Sequence, residues 1–171
     1  MANVTYDENC LTVLDHPLVG HKMTILRDEN TAPAHFRKLV HELAALEAYE
    51  ATRDLPTMQV QVKTPICETE GVRLKDDTLA VVPILRAGMG MLEGVLSVVP
   101  SAAVGVLGME RDEETHEPHS YYAKMPQGIE NRMALVIDPM LATGGSALAA
   151  IKYLREAGVK DIRLLVMVAA P

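Results

Sequence analysis

Four short, almost continuous apolar runs from residue 79 onward limit the folds that the chain can adopt. Strands that are buried on both faces carry such runs, whereas strands with one wet face alternate apolar and polar residues. Segments with helical spacing lie between some of the runs, near residues 88–98 and 145–157, which gives a β-α-β order. The runs are Leu79–Leu85, 102–109, Met133–Ile137 and 162–169. The pattern predicts an α/β fold with a central parallel sheet flanked by helices.

The first half of the chain is predicted to cover this sheet. Thr31 is expected to cap an amphipathic helix that runs to about Arg53. Its apolar residues recur at helical spacing, at Phe36, Leu39, Val40, Leu43 and Leu46. Residues 58–63 then alternate apolar and polar side chains up to Pro65, which predicts an edge strand with one wet face.

Length, charge and cysteine content exclude several classes of protein. The 171 residues, 49% of them hydrophobic and without a repeat or linker, are predicted to form a single domain over residues 1–171. Sixteen Lys and Arg against 23 Asp and Glu give a net charge of −7, which opposes binding to nucleic acid or to a membrane. The apolar runs are too short to cross a bilayer. Neither a secretory signal nor a disulfide framework is evident, so we expect a cytoplasmic setting.

The most informative motif follows the apolar run Met133–Ile137. It reads Asp138-Pro-Met-Leu-Ala-Thr-Gly-Gly-Ser146 and leads into a predicted helix. The two glycines permit positive φ and close approach, and the amides of residues 143–146 at a helix N-terminus form an anion site. Pro139 biases Asp138 towards an extended conformation, so that its carboxylate can accept hydrogen bonds from sugar hydroxyls. The motif predicts a sugar-phosphate site; a plain strand-to-helix turn with a serine cap is the alternative.

Two arginines are predicted to lie at the same edge of the sheet. Arg86 follows the run Leu79–Leu85, and Arg111 follows the run at 102–109. Planar guanidinium groups can hold phosphate oxygens on which negative charge develops during a reaction. Ion pairs with neighbouring carboxylates on a wet edge are the alternative.

A polar stretch at residues 112–132 is longer than most connections in compact domains. We predict that it forms a flexible hairpin arm, which by closing would exclude water from the site at this edge of the sheet. His116 and His119 have HxxH spacing but lack a third ligand nearby, so no metal site is predicted there.

The apolar strand, the acid and the Thr-Gly-Gly-Ser loop together resemble the motif by which type I phosphoribosyltransferases bind phosphoribosyl pyrophosphate (PRPP). Asp-Pro in place of two adjacent acids resembles the uracil phosphoribosyltransferase branch. The resemblance extends over nearly the whole chain, through His16-Pro-Leu-Val-Gly-His-Lys22, Phe36-Arg37, Tyr49-Glu50-Ala-Thr-Arg53, Pro83-Ile-Leu-Arg-Ala-Gly88 and Glu110-Arg111-Asp112. It implies the type I phosphoribosyltransferase-like fold, with a central parallel sheet, an antiparallel edge strand and a hairpin arm.

The resemblance also implies a reaction, in which the 5-phosphoribosyl group passes from PRPP to uracil and gives UMP and diphosphate in pyrimidine salvage. Asp138, Arg86 and Arg111 would be catalytic, with Asp138 on the ribose hydroxyls and the arginines on the pyrophosphate. Residues 143–146 would hold the 5′-phosphate. The residues implied to bind PRPP are Arg86, Arg111, Asp138, Pro139, Met140, Leu141, Ala142, Thr143, Gly144, Gly145 and Ser146.

Further properties follow from the same resemblance. Mg²⁺ is implied, bound mainly through PRPP and water rather than through a set of protein ligands. A homodimer or higher homo-oligomer is implied, and in some members activation by GTP. The uracil-recognising segment of the family lies downstream of Pro171, so we expect a C-terminally shortened chain with impaired UMP formation.

Two other functions compete with this reading. A phosphoribosyltransferase-like domain can act as a non-catalytic PRPP-binding or regulatory module, although the acidic charge disfavours an RNA-binding version. A dinucleotide-binding oxidoreductase is a more distant alternative. It requires G-x-G-x-x-G, and in the segment from Gly88 to Gly94 the third glycine comes one residue late.

Overall fold

The structure is a computed structural model that describes residues 10–111 and 118–170. For residues 110, 111 and 118–120 it describes the backbone only. The helices within these residues are α1 (Pro17–Leu26), α2 (Pro33–Ala51), α3 (Met89–Val98) and α4 (Gly145–Glu156). The strands of the first half are β1 (Thr57–Lys63), β2 (Glu68–Leu74) and β3 (Leu79–Leu85). The strands of the second half are β4 (Ala103–Val104), β5 (Val106–Arg111), β6 (Pro118–Lys124), β7 (Met133–Ile137), β8 (Met140–Leu141), β9 (Ile162–Leu165) and β10 (Val168–Ala169).

The described strands form a six-stranded central sheet in the order β6-β5-β3-β7-β9, with β4 also paired to β3. Strand β3 is parallel to β4, β5 and β7, and β7 is parallel to β9. Only β6 runs antiparallel, at the edge beside β5. The predicted α/β fold with a mainly parallel sheet is therefore confirmed.

The sheet is covered on both faces, which explains the continuous apolar runs. In β3, Leu79 and Val81 pack into a cluster with α2 and α3, whereas Ala80 and Val82 pack into a second cluster with α4. Burying one Val, Leu or Ile side chain completely stabilises a fold by roughly 1.5–3 kcal/mol. Each buried strand thus contributes to two cores at once. No helix in the described part of the chain has both the length and the apolar character needed to span a membrane.

Helix α2 begins later than the sequence predicted. Ala32 is its N-cap and makes no side-chain capping bond, while the Thr31 hydroxyl donates instead to the carbonyl of Ile25 at 2.5 Å. Pro33 occupies the first turn of the helix, and a proline there has no N–H that a cap would need to satisfy. The prediction that Thr31 caps the helix was therefore wrong.

Strand β1 does not join the central sheet. It pairs antiparallel with β2, from Thr57 opposite Leu74 to Lys63 opposite Glu68, as a separate two-stranded sheet. The strand predicted at residues 58–63 is present, and it lies in this separate hairpin, because alternation indicates one wet face without saying which strand lies alongside. The hairpin exposes apolar side chains, including Ile66 at 94%, and an isolated hairpin is at best marginally stable in water.

Glu47 of α2 is a half-buried acid, one of whose carboxylate oxygens is buried without a hydrogen-bond partner in the described part of the chain. Its Oε2 atom is inaccessible to solvent and has no hydrogen-bond partner among the described residues. Burial raises the pKa of this carboxyl from its usual 4.5 to about 7, because a low-dielectric setting disfavours the charged form.

Glu47→Gln is expected to remove a pH dependence of stability. The native state binds the proton more tightly, so the stabilisation present below the unfolded pKa is lost as pH rises from 4.5 to about 7; the loss is up to about 3 kcal/mol. The variant carries no titrating group there, so its free energy of unfolding should decline less between these pH values, by that amount. Urea unfolding at about pH 5 and about pH 8 measures the difference.

Glu50→Gln is the control for that comparison, because Glu50 lies one turn further along the same helix and pairs with Arg53. The hydrogen bond from Arg53 lowers the pKa of Glu50, so its titration acts in the opposite direction. An unchanged pH profile in Glu47→Gln would show that the acid does not titrate in this range.

Candidate active site

The phosphate-loop motif lies between β7 and α4, as a turn that opens a helix. Gly144 is the N-cap of α4 and has φ 78° and ψ −4°, in the left-handed region that favours glycine. Gly145 begins the helix, and positive φ is confined to Gly144 of the two. No side chain caps this helix, which leaves the amides of its first turn available to an anion.

This loop forms a shallow cavity of about 80 Å³. Ala147 and Val166 line it together with most of the residues that the sequence singled out. Those residues are Asp138, Met140, Leu141, Ala142, Thr143, Gly144, Gly145 and Ser146. An acid and a set of backbone donors thus face one small space. Such a space suits a ligand that carries both hydroxyl groups and a phosphate.

Asp138 stands directly at the end of β7. Its amide donates to the carbonyl of Leu165 at 3.2 Å, and its Oδ1 atom accepts a bond from the amide of Met140 at 3.4 Å. Partial burial raises the pKa of the carboxyl above its usual value, and the hydrogen bond from Met140 opposes that shift. The carboxylate is the strongest acceptor in the cavity.

A second short ladder supports the loop from one side. Val168 and Ala169 of β10 pair in parallel with Met140 and Leu141 of β8. The carbonyl of Pro139 accepts bonds from two successive amides, those of Met167 at 3.2 Å and Val168 at 3.3 Å. The apolar run at 162–169 is therefore two strands, and the bend between them places Val166 in the cavity wall.

Sequence reasoning did not find Val166 or this ladder. The run is apolar throughout, so nothing in its pattern marks the change of partner from β7 to β8. Pro139 was assigned to the site, but it does not line the cavity. Its carbonyl instead accepts the hydrogen bonds that join β10 to the loop.

Arg86 follows β3, and its loop lies against the end of β7. A Cβ atom at Gly88 would stand 2.3 Å from the carbonyl oxygen of Ile137 and 2.8 Å from the backbone nitrogen and oxygen of Ile84. The turn that carries Arg86 is therefore directly beside Asp138. The Arg86 side chain is exposed and takes part in none of the ion pairs between described residues.

Arg111 is the last residue of β5, which neighbours β3. The carboxyl ends of parallel strands meet at one edge of a sheet, so its backbone is at the edge that carries Arg86. The structure describes the backbone of Arg111 but not its side chain. Residues 112–117 of the predicted arm, including His116, lie outside the described residues. After them, β6 runs antiparallel beside β5.

The fold and the strand-end loop define the chain as a protein of the type I phosphoribosyltransferase fold. A solved hypoxanthine phosphoribosyltransferase from Staphylococcus aureus superposes with a TM-score of 0.57 at 14% identity, over 79% of this chain and 65% of its own. A purine phosphoribosyltransferase from Pyrococcus horikoshii gives a TM-score of 0.57 at 11% identity, over 77% and 73%. At such identities the likeness concerns the fold alone.

Sequence comparison places the chain within that class. The family model "Uracil phosphoribosyltransferase" matches residues 13–171, and the chain belongs to the uracil phosphoribosyltransferase family. The uracil phosphoribosyltransferase of Finegoldia magna is 55% identical over 161 residues, which are 94% of this chain and 77% of that protein. The solved AQ2163 protein from Aquifex aeolicus superposes with a TM-score of 0.87 at 38% identity, over 94% of this chain and 76% of its own.

Proposed function

We propose that the protein transfers the 5-phosphoribosyl group of PRPP to N1 of uracil, giving UMP and diphosphate in pyrimidine salvage. The observation that carries this proposal is the uncapped N-terminus of α4 in one cavity with Asp138. Membership of the uracil phosphoribosyltransferase family supports the same reaction. In that reaction the bond from C1′ to the diphosphate oxygen breaks, the bond from C1′ to N1 forms, and N1 loses its proton.

The proposed roles follow the chemistry of each group. Asp138 accepts hydrogen bonds from the ribose hydroxyls, and the amides of residues 143–146 hold the 5′-phosphate. Arg86 and Arg111 bind the pyrophosphate, whose negative charge grows as the bond to C1′ breaks. Much of the rate enhancement then comes from holding the two reactants in line.

Mg²⁺ fits this site as an ion that arrives on PRPP. Within the described ranges no three His, Cys, Asp or Glu side chains group closely enough to hold a metal, and Asp138 is followed by a proline. Mg²⁺ keeps several waters and often takes only one or two carboxylates besides substrate phosphates. When bound, it would neutralise charge on the diphosphate, with Asp138 reaching it directly or through water.

We further propose a homodimer or higher homo-oligomer. The β1–β2 hairpin stands apart from the central sheet and exposes Met58, Ile66 and Val72. A second copy that covered these side chains would stabilise a hairpin that is marginal alone. Sedimentation of the purified protein tests this proposal.

Two further proposals concern regulation and location. GTP added to the activity assay tests activation by that nucleotide. The lack of a disulfide framework supports a cytoplasmic setting.

Arg86→Ala is expected to raise the KM for PRPP about 10- to 100-fold, because it removes a charge-assisted contact to the pyrophosphate. UMP formation from PRPP and uracil gives KM and kcat, and calorimetry gives PRPP affinity in the absence of uracil. Arg27→Ala, at the exposed end of α1, is the matched control and should behave like the wild type.

PRPP binding without UMP formation would contradict the proposed transfer and leave a binding module. Unchanged PRPP kinetics in Arg86→Ala would contradict only the role given to that arginine.

A further inference from the structure

We propose that Met140 is an oxidation site through which peroxide lowers the affinity for PRPP. The inference rests on the proposed function, because it concerns the same phosphate cavity. It adds a chemical modification of this chain to that function.

The first support is the exposure of the residue. Met140 is 62% exposed, more than Met58 or Met89 at 45% each, whereas Met91 and Met133 are buried at 0% and 6%. Oxidation of methionine requires access to the sulfur. Among the methionines in the described part of the chain, Met140 therefore presents the most accessible side chain.

The second support is the position of that residue. Met140 lines the cavity formed by Asp138 and the first turn of α4. Its backbone is fixed on both sides, because its amide donates to Asp138 and it pairs with Val168 in the β8–β10 ladder. The residue is thus held next to the anion site.

The chemistry of the modification explains its effect. A sulfur lone pair attacks one oxygen of hydrogen peroxide, the O–O bond breaks, and the products are methionine sulfoxide and water. Sulfur loses two electrons, and the peroxide gains them. The sulfoxide oxygen is a polar acceptor in place of an apolar thioether, so it competes with phosphate oxygens for the amides at the N-terminus of α4.

The modification is also reversible. Methionine sulfoxide reductases reduce the sulfoxide, with a separate enzyme for each epimer. PRPP affinity lost through Met140 should therefore return after treatment with both reductases, which distinguishes methionine oxidation from irreversible oxidation of other side chains.

The experiment treats the whole chain with hydrogen peroxide, maps each methionine by peptide mass spectrometry, and measures PRPP affinity by calorimetry before and after. We expect Met140 to be oxidised before Met91 and Met133, and saturating PRPP should slow the oxidation of Met140. The Kd for PRPP should rise about 10-fold after oxidation. In Met140→Leu, which lacks sulfur, the ratio of Kd after peroxide to Kd before should stay near one. Met58→Leu, the control on the hairpin, should lose affinity as the wild type does.

The outcomes separate this inference from the proposed function. Unaltered PRPP binding in protein whose Met140 is oxidised would overturn the inference alone. The same would follow if Met140→Leu lost affinity as the wild type does. Absence of PRPP binding before any peroxide is added would overturn the proposed function and the inference together.

Discussion

Gly88→Ala is expected to lower the free energy of unfolding by about 1–3 kcal/mol and to raise the KM for PRPP. The added methyl would stand 2.3 Å from the carbonyl oxygen of Ile137 and 2.8 Å from two backbone atoms of Ile84, none of which can move as a flexible side chain does. The backbone of Gly88 has φ −59° and ψ −23°, which suits alanine, so the effect comes from the contact alone. Displacing this turn carries Arg86 away from Asp138.

Gly90→Ala provides the matched control for that prediction. A Cβ atom there would meet only Cγ1 of Val40, at an ordinary 3.6 Å. Alanine is favoured over glycine inside a helix by about 1 kcal/mol, so this variant should be as stable as the wild type or more so, with unchanged PRPP kinetics. Urea unfolding and initial rates measure both variants. Equal effects at the two positions would show that the contact with Ile137 does not position the arginine loop.

Asp138→Asn is expected to reduce kcat/KM for PRPP about 100-fold, since hydrogen bonds to a charged group contribute about 1.5–3 kcal/mol each and a neutral amide accepts more weakly. The substitution keeps the size of the side chain, so the fold should persist. Asp76→Asn, in the exposed turn before β3, is the control that changes the same charge outside the cavity.

The pH dependence gives this second prediction a further test. Burial raises the pKa of Asp138 above its usual value, and the ribose hydroxyls require the carboxylate form. Wild-type PRPP affinity should therefore fall as pH is lowered through that raised pKa, whereas the variant should show no such fall. A wild-type profile without this limb, or near-normal turnover in the variant, would remove Asp138 from the ribose site.

The parts of the fold that the sequence predicted are those governed by local pattern. Leu79–Leu85 and Met133–Ile137 were placed with their observed bounds, because burial on both faces leaves no polar position within either run. The partner of β1 could not be predicted, since alternation depends on solvent and not on the neighbouring strand. Strand β2 was missed because Glu-Thr-Glu-Gly-Val-Arg-Leu shows little apolar alternation.

The candidate site divides in the same way. The loop from Asp138 to Ser146 was predicted because a turn between a strand and a helix is contiguous in sequence. The contact of Gly88 with Ile137 and the position of Val166 depend on segments far apart in the chain. Only the packed structure brings those segments to one edge.

The β8–β10 ladder has a consequence for the entropy of ligand binding. Carbonyls of Pro139 and Leu141 already accept bonds from residues 167, 168 and 170 before any ligand arrives. A loop that is ordered in advance loses little conformational freedom on binding, so more of the interaction energy with a phosphate is retained as affinity. A substitution that weakens the pairing of β10 with β8 would therefore lower the affinity for PRPP without changing a residue assigned to bind it.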